Sequence, residues 1–333
     1  MIRAAVVGLG WWGKTIVDAV HGKSDRIAFV AAHTRTRSKA EEFCRDRKIE
    51  LRDDLDAVLD DASIDAVVFT TPHSQHEEHV TRAARAGKHV FVEKPFTLTV
   101  SSAKSTLDAV AKAGVVLGID YQRRFHPSID EIRKRVRDGR LGTLTCALAE
   151  VTTPSGLTLP RESWRTNPDE TPGGALTALG VHHVDGFIDL LGEVDEVWCA
   201  NTRRAAPHTD DTTLFTMKHR NGALSTTICC AATAGSYCVA VFGTKGIAET
   251  MRPSLDTFRF MPVASQGGPH AVSQPEVIEH KGFNPVKAGL EAFADAVRGE
   301  AAFPITPDQI LHGVAVCEAI VKSAETGNPA KVG

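Results

Sequence analysis

Six residues near the N-terminus have the types and spacing to hold a phosphate. Gly8-Leu9-Gly10-Trp11-Trp12-Gly13 reads G-x-G-x-x-G, directly after the apolar run from Ile2 to Val7 and directly before a helical stretch from Trp11 to His21. In that setting the first glycine permits a tight turn and the second lets a pyrophosphate approach the backbone. The third lets helix and strand pack closely, and free N–H groups at the helix start face the phosphates. Three glycines alone are a weak signal; the surrounding βαβ pattern makes them a dinucleotide turn built from Gly8, Gly10, Trp11, Trp12 and Gly13. The two tryptophans contribute backbone amides in this reading, and their rings serve packing.

The end of the second strand decides which dinucleotide binds, because an acidic residue there accepts hydrogen bonds from the adenosine ribose of NAD. The sequence places His33-Thr34-Arg35-Thr36-Arg37-Ser38 at that point, with no carboxylate. Guanidinium groups pair with phosphate in fork geometry. Thr34, Arg35 and Arg37 therefore favour NADP, with NAD as the other possibility; the plain alternative is a solvated helix start. Two further turns fall at carboxyl ends of predicted strands, where open α/β sheets bind ligands. One carries Thr71, Pro72, His73 and His76, and the other Glu93-Lys94-Pro95; both, with Gln122 further on, are candidates for cofactor contact. Taken alone, Glu-Lys-Pro is any surface turn.

The elements that position these residues follow from hydrophobic patterning. Over the first 120 residues short Val/Ile/Phe-rich runs alternate with helical segments, which predicts a parallel sheet covered on both faces, the doubly wound Rossmann arrangement. After Tyr121 the pattern changes. A basic amphipathic helix, a Pro/Thr/Gly-rich loop from Thr153 to Gly174 and a helix from about Ala175 to Leu191 are followed by strands without intervening helices. That predicts an α+β domain with a largely antiparallel sheet. The expected division is residues 1–121 for dinucleotide binding and 122–333 for a second domain, to which the family resemblance given below assigns substrate binding and oligomerisation. Ala223 to Thr244 lacks charge but is rich in Thr and Ser, with Gly235-Ser236 as a turn, so it reads as a buried hairpin, not a membrane span. Thr306-Pro307-Asp308-Gln309 is a capping box opening the last helix.

Composition narrows the class. Of 333 residues, 42% are hydrophobic and 24% charged, and the net charge is −3. Apolar mass suffices for real cores, and nothing supports a nucleic-acid binder working by bulk electrostatics. Seven scattered cysteines without C-x-x-C suggest reduced thiols and neither a zinc site nor a disulfide framework. The start MIRAAVVGLG lacks the pattern of a signal peptide. The expectation is a cytoplasmic protein, with no metal and no membrane association.

Together these motifs resemble the glucose-fructose oxidoreductase/inositol dehydrogenase/MocA family. The matching text is Val-Val-Gly-Leu-Gly-x-x-Gly at 6–13, Thr-Pro-x-x-x-His at 71–76 and Ala-Gly-Lys-His-Val-Phe-Val-Glu-Lys-Pro at 86–95. Arg-Arg-Phe-His-Pro at 123–127, Trp164-Arg165, Gly-Gly-Ala-Leu at 173–176, Gly-Val-His-His-Val-Asp at 180–185 and Phe-Gly-Thr-Lys-Gly-Ile at 242–247 follow in order. The resemblance implies a Rossmann domain, an open-faced sheet that packs in homodimers or homotetramers, and NAD(P)-linked oxidation or reduction of a hydroxyl or carbonyl on a sugar or polyol. By position Lys94 matches the family's catalytic lysine, Lys94-Pro95 a peptide often cis there, and His182 the catalytic histidine. Either group suits the proton movement that accompanies hydride transfer. Tyr121, Arg123, Arg124, Trp164 and Arg165 are substrate candidates by the same positions. An arginine at 124 or 165 would receive a carboxylate or else form ion pairs between domains.

One departure is specific to this chain. Many dehydrogenases of the family carry Asp four residues before the histidine, and here that position is Ala178. Asp185, three residues after His182, is a helix-face neighbour that is a further substrate-binding candidate and would orient the histidine, or else serves as a surface or capping residue. The expected function is interconversion of a secondary alcohol and a carbonyl on a small-molecule sugar, polyol or derivative. The alternatives are a dehydrogenase of a carboxylated ring diol, dihydroxyphthalate-like, and a non-catalytic NAD(P)-sensing regulator.

Overall fold

The computed structural model describes residues 1–264, 268 and 271–333. The chain divides into two compact units, residues 1–122 with 284–311 and residues 123–283 with 312–333. In the first unit, strands β1 (Ile2–Val7), β2 (Ile27–His33), β3 (Glu50–Leu51), β4 (Ala66–Phe69), β5 (His89–Val92) and β6 (Leu117–Ile119) form one sheet in the order β3-β2-β1-β4-β5-β6. All its pairings are parallel. Every residue of β4 is buried, as a central strand covered on both faces requires. Helices α1 (Trp11–Val20), α2 (Glu41–Asp46), α3 (Asp56–Leu59), α4 (His76–Arg85) and α5 (Val100–Ala113) connect the strands. Thr99 caps α5 by accepting from the Ser102 N–H, and Gly114 ends it in the left-handed conformation.

The division differs from a simple cut after residue 121. Helix α8 (Pro285–Val297) belongs to the dinucleotide unit, because its fully buried Leu290 and Phe293 complete that core, with the Phe293 ring 5.4 Å from Phe91. Local patterning shows that such a helix has an apolar face but not which sheet that face covers.

Among the described residues the second unit is built on nine strands. β7 (Leu144–Thr152), β8 (Val194–Thr202), β9 (Thr212–His219), β10 (Leu224–Cys230), β11 (Ser236–Gly243), β12 (Gly246–Thr250), β13 (Thr257–Pro262), β14 (Glu276–Glu279) and β15 (Ala330–Lys331) lie in the order β14-β13-β12-β11-β7-β10-β9-β8-β15. Every pairing is antiparallel except β10 with β7. That exception corrects the hairpin expected in the uncharged stretch: β10 and β11 flank β7 rather than pairing with each other. The segment joining them crosses the end of β7, where Thr152 Oγ1 donates to the Ala234 carbonyl and the Thr233 N–H to that of Thr153.

One face of this sheet packs on the buried side chains of α7 (Val181–Leu191), including Val184, Phe187 and Ile188. The opposite face leaves Trp198, Leu214 and Leu224 between 37% and 49% exposed. Helix α6 (Pro127–Arg137) opens on proline after His126, whose ring accepts from the Ser128 N–H. The capping box of α9 (Pro307–Thr326) forms in both directions, Gln309 N–H to Thr306 Oγ1 at 3.2 Å and Thr306 N–H to Gln309 Oε1 at 3.3 Å.

Candidate active site

The glycine turn is held on two sides, by His33 and by Thr70. Gly8 N–H donates to the His33 carbonyl at 2.8 Å, and Thr70 N–H to that of Val7 at 2.9 Å. Gly8 has φ +100°, and a Cβ there would lie 2.9 Å from the Thr70 carbonyl, so conformation and space both demand glycine. A Cβ on Gly10 would project into open space with no atom within 4 Å. Helix α1 begins at Trp11 with no side-chain cap and no acid in its first turn, which leaves first-turn N–H groups for an anion. The backbone of Gly8, Gly10, Trp11, Trp12 and Gly13 thus fits a pyrophosphate. Trp11 is 77% exposed beside it.

At the end of β2, Thr34 is half-buried and Arg35 is exposed without a partner among the described residues. Arg37 is already paired, 2.6 Å from Asp53 and 3.7 Å from Glu41. The statement that no carboxylate is available there is therefore corrected. The two-residue β3 delivers Asp53 to this place from a separate stretch of chain.

The two ligand-face turns are tied together. The buried His76 ring contacts the Thr71 carbonyl through Nε2 at 3.1 Å and the Pro95 carbonyl through Nδ1 at 2.9 Å. Burial, partly offset by these contacts, pulls its pKa down. His76 therefore braces the Glu-Lys-Pro turn, and its ring nitrogens are occupied by backbone, which corrects its assignment as a cofactor contact. Thr71 Oγ1 lies 3.1 Å from His79 Nδ1, and His73 is buried beside His76 with ring centroids 5.7 Å apart. The Lys94-Pro95 peptide is cis. Lys94 N–H donates to its neighbour's Glu93 Oε2 at 3.3 Å, while Glu93 Oε1 accepts from the Trp12 indole N–H. That bond corrects the sequence reading of Trp12: its ring links the dinucleotide turn to the turn bearing Lys94. The same N–H lies 3.3 Å from Asp120 Oδ2. Asp120 was not legible as a site residue; its only signal is an acid ending an apolar strand. Tyr121 is buried, and Gln122 holds a buried Oε1 without a hydrogen-bond partner.

In the second unit the helix expected from Ala175 begins instead as a π-helical turn, Leu176–Gly180, before α7. Such turns recur at functional sites. The wider turn exposes Ala178. His182, 6% exposed, lines a pocket with Arg123, His183, Phe187 and Tyr237. The Arg123 guanidinium lies over the Tyr237 ring at 4.2 Å, and the rings of His183 and Tyr237 are 4.9 Å apart. Burial, reinforced by the charge of Arg123, keeps His183 well below the ordinary histidine range. Tyr237 was missed because nothing in its local sequence distinguishes it from any other strand residue.

Two substrate candidates are corrected. Arg124 donates to both carboxylate oxygens of Asp185, Nε to Oδ2 at 3.0 Å and Nη2 to Oδ1 at 2.7 Å, and the two side chains are 3% and 5% exposed. Asp189 lies 3.6 Å from Arg124 and 2.7 Å from Arg133. The pair is an internal brace in which Arg124 engages both carboxylate oxygens of Asp185. Burial pushes its carboxyl up to about 6 against the opposing charge of Arg124. On the Pro/Thr/Gly-rich loop the Arg165 guanidinium lies over the Trp164 ring, 4.3 Å from its centroid.

The parallel sheet with its uncapped glycine turn is the arrangement of a dinucleotide-binding domain, and the second unit carries a buried histidine on the helix that packs on its mostly antiparallel sheet. Residues 2–121 match the family described as "Oxidoreductase family, NAD-binding Rossmann fold", and residues 129–249 match the "GFO/IDH/MocA C-terminal domain". The chain belongs to the Gfo/Idh/MocA oxidoreductase family. It is 35% identical to scyllo-inositol 2-dehydrogenase (NAD(+)) of Bacillus subtilis over 42% of each chain. It is 32% identical to inositol 2-dehydrogenase of Rhizobium meliloti over 58% of this chain and 56% of the relative. The alignments thus span about half the length of these curated relatives. Aldose-aldose oxidoreductase from Caulobacter crescentus, complexed with glycerol, superposes with TM-score 0.84 at 26% identity over 99% of each chain. No described helix is long and apolar enough to cross a membrane.

Proposed function

We propose that the protein is an NADP-preferring oxidoreductase that interconverts a secondary alcohol and a carbonyl on a sugar, polyol or sugar derivative. The observation that carries this reading is the Trp12–Glu93 hydrogen bond, which ties the phosphate-binding turn to the turn of Lys94. The nicotinamide cofactor, when bound, supplies the hydride acceptor or donor. Lys94 Nζ takes the substrate hydroxyl proton in oxidation and returns it in reduction, and His182 holds the reacting oxygen. His76 keeps the Lys94 turn in place from behind. The polyol substrates and aldose chemistry named for the relatives favour a hydroxylated substrate. The carboxylated ring diol is the weaker alternative, since Arg124 is engaged by Asp185 and leaves Arg165 as its anion receptor.

NADP preference rests on Arg35, and the open face bearing Trp198, Leu214 and Leu224 is the surface through which we expect a homodimer or homotetramer. The test is reduction of NADP+ and NAD+ across a panel of sugars, polyols, sugar acids and ring diols, with Lys94→Ala as control. Turnover lost in the control supports the enzyme. Tight dinucleotide binding without turnover on any alcohol, or on the matching carbonyls with NADPH, replaces it with the sensing regulator.

A further inference from the structure

At the carboxyl ends of β5 and β6 one hydrogen-bond donor faces two acids. The Trp12 indole N–H donates to Glu93 Oε1 and lies 3.3 Å from Asp120 Oδ2. Asp120 is 1% exposed, and its Oδ1 has no hydrogen-bond partner. Two ionised carboxylates at such a spacing, away from water, repel each other strongly. A single proton held between them removes the repulsion and turns it into a hydrogen bond.

Asp120 is the member that keeps the proton. Burial, then the charge of Glu93 and its hydrogen bond with Glu93, hold the Asp120 carboxyl well above the ordinary range, and the opposing pull of Trp12 and Lys94 does not reverse this. Glu93 is engaged at both oxygens, Oε1 accepting from the Trp12 indole N–H and Oε2 from the Lys94 backbone N–H at 3.3 Å. The groups facing the pair are Trp12 from α1, Lys94 from the turn after β5 and His76 from α4. Burial draws the His76 pKa down, and its ring is engaged with backbone carbonyls.

We propose that Asp120 is a positioning residue: as a neutral acid it holds the Glu93 carboxylate, and Glu93 in turn holds the backbone at Lys94. The proposal rests on the reading of Lys94 as the proton carrier. Ionising Asp120 sets two like charges against each other and loosens the turn, so the arrangement works only while the acid keeps its proton.

Asn at this position offers an N–H donor in place of the acid O–H and does not ionise. Asp120→Ala is expected to lower kcat about tenfold at neutral pH, with KM for the alcohol within about twofold, because one buried hydrogen bond is lost behind the reacting group. Asp120→Asn is expected to restore most of that loss. Wild-type turnover falls at alkaline pH as Asp120 ionises, whereas the Asn variant holds its rate there. Parallel pH profiles for wild type and Asp120→Asn overturn the proposal, as does an Asn variant no better than Ala.

A second readout needs no turnover. The infrared spectrum of the wild-type protein at neutral pH is expected to contain the C=O stretch of a protonated carboxylic acid that disappears in Asp120→Asn. Absence of that band overturns the shared proton even if Lys94→Ala is inactive. If instead the band is present and Lys94→Ala turns over normally, the reading of Lys94 fails and takes the positioning role with it, while the proton pair stands.

Discussion

Removing the Arg35 guanidinium separates the two dinucleotides. Arg35 is exposed and unpaired among the described residues, while Arg37 is held at 2.6 Å by Asp53 and faces Glu41 at 3.7 Å. A 2′-phosphate at the end of β2 therefore meets one uncompensated cation and one already neutralised. A hydrogen bond to a charged group contributes about 1.5–3 kcal/mol, and exposure places Arg35 at the lower end because solvent and salt screen it. Arg35→Ala is thus expected to raise the Kd for NADP+ about tenfold and to leave that for NAD+ within about twofold. Asp53→Ala acts in the opposite sense, since it frees Arg37 for the phosphate and tightens NADP+ by about threefold. Dinucleotide titration read by quenching of tryptophan fluorescence measures both, with the exposed Trp11 beside the phosphate turn as the natural reporter. Equal changes for the two dinucleotides in Arg35→Ala, or a wild-type protein that binds NAD+ more tightly, refute the reasoning.

Lys94→Ala should reduce kcat by about a hundredfold or more while dinucleotide Kd stays within about twofold, because the group moves a proton and does not anchor the phosphates; stopped-flow binding beside steady-state rates checks both. Asp185→Ala removes the two-pronged carboxylate partner of the buried Arg124 guanidinium, and should lower unfolding free energy by about 3 kcal/mol in a urea titration. Asp211 Oδ2 accepts from the backbone N–H groups of Arg204, Ala205 and Ala206. Burial raises its pKa, but these bonds and that from Thr212 outweigh it and leave the carboxyl at about 2. A folded pKa below the unfolded one gives stability that is present above about pH 4 and lost as pH falls toward 2. Acid melts of Asp211→Asn should therefore show a shallower loss over that window, and Asp211→Ala should cost about 1–3 kcal/mol at neutral pH.

What could be read from the chain divides by how local its cause is. The strand-turn-helix around Gly8 and the capping box at Thr306 are set by residues within a few positions of each other, and both stand where the sequence puts them. The alternation of short apolar runs with helices sufficed for the parallel sheet, since a central strand buried on both faces has no polar face to write. Pairing across distance was not legible. Nothing in Leu224 to Gly243 says that β7, some eighty residues earlier, lies between β10 and β11, and nothing in α8 says which core Phe293 completes.

The candidate site follows the same rule in a sharper form. Asp185 and Arg124 are polar residues in the right motifs, yet they face each other across 61 positions, and a buried guanidinium that finds a carboxylate no longer offers its donors to a ligand. Trp12 shows the converse. Its position in the glycine turn fixes its backbone role, but its indole finds Glu93 and Asp120, 81 and 108 positions away. Motif spacing therefore identifies which backbone holds a phosphate, because that geometry is local. Whether a charged or polar side chain serves a ligand depends on what the rest of the chain brings against it. An arginine such as Arg35, left without a partner where a phosphate is expected, carries more functional weight than a better-matched one already paired.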